Sequence, residues 1–139
     1  MAEARRVLRR GGRFAISFFG DFERMDLVRS WVIALLECSP PGGSEADLVS
    51  ISRPRAAEEA VSKAGMTPVE RGSTTSMQEF ADLDSAVLAY SALGPAITAI
   101  EHVGEARWSS RLRALFRPFV APNGVVRLVN QWAWLTPSA

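Results

Sequence analysis

One histidine, one cysteine and four tryptophans are the side chains of this sequence with the widest chemical reach. His102 stands two residues before Gly104, near the expected end of a helix. A histidine there can serve as a general base, or it can face the negative end of the helix dipole. Cys38 could be a nucleophile, but no second cysteine and no histidine stands near it in sequence. A solitary cysteine is commonly a small buried hydrophobe. Trp31, Trp108, Trp132 and Trp134 could line a flat aromatic pocket or fill a core. Arg107, Arg111, Arg113 and Arg117 form two like-charged i, i+4 pairs, either an anion-binding face or a solvated one. Asp82 and Asp84 stand at the start of a helix, and one or the other reads as its N-cap. No metal-ligand cluster stands out in the sequence, and no Ser/His/Asp spacing.

The chain that must position these residues has 139 residues, net charge +1, 47% hydrophobic and 22% charged residues. That predicts one globular domain and excludes a disordered charged tail or a fibrous repeat. No apolar run approaches the roughly 18 residues of a membrane helix, and the charged N-terminus is unlike a signal peptide. A single cysteine excludes an internal disulfide framework, so a cytoplasmic location is expected. Near-neutral charge argues against bulk nucleic-acid binding. Of the 16 basic residues only Lys63 is lysine. So many arginines suit phosphate or carboxylate recognition, and they equally suit a GC-rich coding sequence.

Ala2–Arg9 reads as the end of a helix, stopped by Gly11 and Gly12. Arg13–Phe19 is a short apolar run without alternation, the pattern of a strand buried on both faces. Met25–Leu36 has helical spacing, and the Pro40-Pro41-Gly42-Gly43 stretch makes Ser39–Ser44 a loop. Pro54–Ala64 reads as a helix with Pro54 in its first position and Gly65 as its stop. Thr67–Met77 reads as a polar strand at a sheet edge. Asp82–Val103 reads as two helices bent at Gly94-Pro95, with Tyr90 on an apolar face. Glu105–Arg117 is the clearest amphipathic helix, with Trp108, Leu112, Leu115, Phe116 and Phe119 on one side. Pro122-Asn123-Gly124 is a turn, and Val125–Leu135 is a closing strand on which Trp132 and Trp134 point the same way. The reading is a single domain, 1–139, with a helical insert over 82–120 before the last strand.

The run Ala2-Glu3-Ala4-Arg5-Arg6-Val7-Leu8-Arg9-Arg10-Gly11-Gly12-Arg13-Phe14-Ala15-Ile16-Ser17 resembles the lead into the fifth strand of class I S-adenosylmethionine-dependent methyltransferases. Arg10 stands where that family usually has proline. The helix closing in Ala64-Gly65-Met66 is similar to the family's helix before its sixth strand. The segment Asn123–Trp134 resembles its seventh. The resemblance implies an α/β fold: a partial Rossmann-like methyltransferase sheet of the fifth, sixth and seventh strands, the seventh antiparallel between the other two. It also implies methyl transfer to a small-molecule acceptor, with acceptor-pocket candidates Phe19, Asp21, Trp31, Tyr90, Trp108 and Trp132, and His102 as a weak catalytic candidate.

The family's cofactor-binding first half has no counterpart in this sequence. Its Gly-x-Gly-x-Gly loop and its ribose-binding acidic residue are missing. S-adenosylmethionine is therefore implied by the resemblance alone, and binding by this chain alone is not expected. Strand 13–19 would be a bare apolar edge, which predicts instability, a homodimer, or a second chain carrying the front half. Met1 falls inside the expected helix, so a truncated reading of a longer protein is the mundane alternative. The rival function is a non-catalytic ligand-binding or dimerisation module derived from the same fold.

Overall fold

The computed structural model describes residues 1–42 and 49–139. Gly43 and Ser44, the end of the expected loop, lie outside the described residues. The architecture is α/β, a three-stranded antiparallel sheet with six α-helices among the described residues.

Helix α1 (Ala2–Val7) buries no residue and ends two residues short of the expected Arg9. The glycine pair after it is tied to the other end of the chain. The Gly11 N–H donates to the Ala139 carbonyl at 3.0 Å, and the Ala139 N–H donates to the Gly12 carbonyl at 2.9 Å. Strand β1 (Ile16–Phe19) is shorter than the expected Arg13–Phe19, because Arg13 makes only one isolated bridge, to Ser138. It is not buried on both faces, as its lack of alternation predicted. Phe18 is buried and Ser17 is exposed. The face that carries Phe18 is covered, whereas the opposite face is covered at Phe19 and open at Ser17; β1 is also a sheet edge, with no strand among the described residues on its far side.

Strand β2 (Thr67–Phe80) and strand β3 (Val126–Ser138) are each longer than their sequence patterns suggested. Phe80 is opposite Val126 and Thr67 is opposite Ser138, so mutual pairing extends both strands. The order is β1-β3-β2, with β3 antiparallel to both neighbours. The outer strands therefore run parallel to each other. The central place of the last strand agrees with the sequence reading, and so does the edge position of polar β2.

The pleat sends alternate side chains to opposite faces, and β3 changes buried face along its length. Val126, Leu128 and Asn130 are buried at its start, Ala133, Leu135 and Pro137 at its end. The first set packs under helix α2 (Ile33–Cys38) and under α4 (Leu83–Ser91), α5 (Gly94–Val103) and α6 (Glu105–Phe116). A π-helical turn, Val28–Val32, leads into α2. The second set packs with Phe18 against Ala57 and Val61 of helix α3 (Ala56–Lys63).

Trp108, Leu112 and Phe116 on α6 are fully buried, four residues apart as the periodicity required. Leu35 is buried, whereas its neighbour Leu36 faces outward. Neighbouring helical residues point about 100° apart, so both cannot aim at the core. The axes of α4 and α5 turn by 96° at the Gly94-Pro95 break. Asp82 caps α4 by accepting the Ser85 N–H at 2.7 Å. Pro54 is not the first residue of α3, as its sequence position suggested. Arg55 intervenes as the N-cap with φ +65°, so the chain turns before the helix starts. The far end of α3 closes in a Schellman motif, Met66 N–H to Val61 carbonyl and Gly65 N–H to Ser62 carbonyl. No single helix is long and apolar enough to cross a membrane.

Candidate functional site: a cleft at the carboxyl end of β1

In α/β folds the carboxyl ends of parallel strands, beside the start of the following helix, are where ligands gather. Here that position is a cleft of about 620 Å³. Gly20, Asp21 and Phe22 follow β1, and Ser52, Arg53 and Pro54 precede α3. Arg71, Gly72 and Ser73 come from β2, and Gln131 and Ala133 come from β3.

Each wall has a local cause. Gly20 lies so close to β3 that a Cβ would sit 2.3 Å from the Gln131 carbonyl oxygen, and its own N–H donates to that oxygen at 2.8 Å. Asp21 Oδ1 accepts the Glu23 N–H at 3.1 Å and so starts the short turn Phe22–Arg24. The Asp21 N–H points to Gln131 Oε1 at 3.4 Å. Gly72 forms part of the cleft, and the Trp134 indole crosses its other face. A Cβ on Gly72 would meet that ring at 2.3 Å. The Arg71 guanidinium is bonded to Glu58 of α3 and lies 5.5 Å from the centre of the Phe18 ring. That bond holds the Glu58 carboxyl below its usual range. Ser52 Oγ is buried without a hydrogen-bond partner among the described residues.

Of the acceptor-pocket candidates, only Asp21 lines this cleft. Phe19 and Trp132 face each other across β1 and β3, on the opposite side of the sheet from Ala133, with ring centres 5.5 Å apart. The Trp132 indole N–H donates to Ser76 Oγ at 2.8 Å. Trp31, Tyr90 and Trp108 lie in the helical core. The Trp31 indole donates to the Tyr90 carbonyl at 3.1 Å, and the Trp108 indole to Ser91 Oγ at 2.8 Å. The Tyr90 ring packs against Phe116 at 5.2 Å, and its hydroxyl donates to Gln78 Oε1 at 2.6 Å. Phe19 and Trp132 pack against the same core as Trp31, Tyr90 and Trp108, and Asp21 alone lies in the cleft, so the six do not line one pocket.

His102 is exposed on the last turn of α5. Cys38 is buried at the end of α2, and burial raises its thiol pKa further from the thiolate. Two of the four arginines on α6 and beyond are ion-paired across helices, Arg111 with Glu37 and Arg113 with Asp84. Arg111 holds the Glu37 carboxyl below its usual range. Among the described residues no group of His, Cys, Asp and Glu is placed to hold a metal ion.

Sequence reasoning passed over Gly20, Ser52, Arg53, Arg71 and Gln131. Four separate segments converge to make the cleft, and no local spacing marks their meeting. The one available signal was topological: the residues after β1 and before α3 belong together in any strand–helix–strand unit. Comparison with family models and with curated proteins returns no match to this chain.

Proposed function

We propose that this chain is the C-terminal part of a class I methyltransferase-like fold, a cytoplasmic transferase component that supplies the side of the enzyme where a small-molecule acceptor sits. The observation that carries this reading is the sheet. Two parallel outer strands flank an antiparallel closing strand in the order β1-β3-β2. A Leu8-Arg9-Arg10-Gly11-Gly12 lead-in stands shortly before β1. The cleft at the end of β1 supports an acceptor position, and Asp21 is the proposed pocket residue that it contains.

The residues present do not fit S-adenosylmethionine. Among the described residues no strand passes through a glycine-rich loop into a helix. β1 leads to Gly20-Asp21 and a short turn, and β2 leads to the Asp82 cap of α4. In this reading the chain is inactive by itself. The glycine-rich half comes from elsewhere, on the same polypeptide or on a partner that docks on the free edge of β1.

The test is reconstitution. The coding region preceding that of this chain is read for a strand–Gly-x-Gly-x-Gly–helix pattern, expressed with it, and assayed for transfer of labelled methyl groups to small hydroxyl, amine and carboxyl acceptors. Turnover by the combination, with none by the chain alone, is the expected result. Turnover by the chain alone would contradict the reading. So would a combination that binds S-adenosylhomocysteine and transfers nothing.

A further inference from the structure

We propose that the cleft at the carboxyl end of β1 takes a small aromatic carboxylate, with Arg53 as its anion-binding group and Ser52 as a second donor. This rests on the reading of the cleft as the acceptor side, and it names the acceptor's chemical class.

Charge matching within the cleft singles out Arg53. Arg71 is occupied by Glu58. Asp21 is occupied by the Glu23 N–H and stands 3.9 Å from Arg24. Arg53 is the charged group of the cleft left over: it is exposed and has no ion-pair partner among the described residues. Its planar guanidinium presents paired N–H donors in the geometry of a carboxylate.

The neighbouring residue adds a second, independent observation. Ser52 Oγ is buried without a partner among the described residues. A buried hydroxyl without a partner costs free energy in the folded chain, and such a group calls for a ligand or water to complete it. Both residues stand just before α3, whose N-terminus puts partial positive charge on the same side. The rest of the lining sets the ligand's body. Phe22, Pro54 and Ala133 are apolar, and Gly72 contributes no side chain. The volume of about 620 Å³ suits a small organic molecule and exceeds what a bare inorganic anion fills.

The experiment titrates the full chain with benzoate, benzamide and inorganic phosphate, following heat and amide chemical shifts, without S-adenosylmethionine. Benzoate is expected to shift resonances of Gly20–Phe22 and Ser52–Arg53, with benzamide about tenfold weaker or more. R53Q is expected to bring benzoate down to the benzamide level with an unchanged thermal midpoint, since Arg53 is exposed and has no ion-pair partner among the described residues. S52A is expected to weaken benzoate while leaving the midpoint unchanged or raised, since it deletes an unpaired buried hydroxyl.

Equal binding of benzoate and benzamide would overturn the proposal, as would benzoate affinity untouched by R53Q. Absence of benzoate binding, or phosphate displacing benzoate at equal affinity, would overturn it too. The two readings fail separately. Benzoate bound at Arg53 without methyl transfer in the reconstituted enzyme leaves the cleft standing. Methyl transfer without benzoate binding leaves the fold reading standing.

Discussion

Asn130 is the polar point at which three elements meet. It is fully buried in β3, accepts the Leu27 N–H at 2.8 Å, and donates to Gln78 Oε1 at 3.3 Å. Gln78 in turn accepts the Tyr90 hydroxyl. Removing Asn130 orphans a buried N–H at the start of the helical layer and takes one donor from Gln78, whose bond to Tyr90 of α4 remains. Asn130→Ala is expected to cost about 2–4 kcal/mol in denaturant unfolding, with the slope unchanged. The same network yields a pH prediction. Tyr90 is the only tyrosine, and burial pushes its hydroxyl up from 10.0 to about 12. The unfolded chain loses the phenolic proton near its ordinary pKa while the folded chain keeps it. The native state then binds more protons, and stability falls as pH rises through that window. Phenolate absorbance is expected to titrate near 12 in the folded chain, and Tyr90→Phe is expected to remove this part of the alkaline loss. A phenolate titrating at the ordinary value would show Tyr90 to be solvated.

At the scale of elements, helix α6 and the bend at Gly94-Pro95 were legible in the sequence, because apolar periodicity and proline act locally. The order of the strands came from resemblance. The cleft was not legible, because its close approaches are made between strands. Nothing around Gly20 reports that Gln131 will lie against it, and nothing around Gly72 reports the Trp134 ring. The four tryptophans illustrate the same limit. Their types suited a pocket, but three of their indole N–H groups are satisfied inside the protein. The two glycines give a graded prediction. A Cβ at position 20 meets a backbone carbonyl, which the sheet holds in place, whereas one at position 72 meets a side chain that can swing aside. Gly20→Ala is expected to cost more than about 2 kcal/mol and Gly72→Ala about 1–2 kcal/mol, read from thermal unfolding. The reverse order would mean that Trp134 is held more firmly than the strand pairing.

At the scale of the whole molecule the sheet has two edges with no further strand among the described residues, and the two are unequal. β2 is long and polar, and its Arg71 is tied to α3. β1 is short and carries Ile16, Phe18 and Phe19, with Ser17 exposed between them. Unpaired apolar edges recruit further strands, and a lysine on the edge blunts them. The chain alone is therefore expected to associate with rising concentration, and Ser17→Lys is expected to shift it toward monomer in sedimentation. A parent chain that stays monomeric throughout would show that the β1 edge needs no partner.

The central claim, a methyltransferase-like acceptor half without its cofactor-binding half, is tested most directly by calorimetric titration of the chain with S-adenosylhomocysteine, with light scattering on the same sample. The account predicts no saturable heat from a chain that associates through β1. Saturable micromolar binding by a monomer would contradict it, because the cofactor site would then be built from the residues of this chain alone.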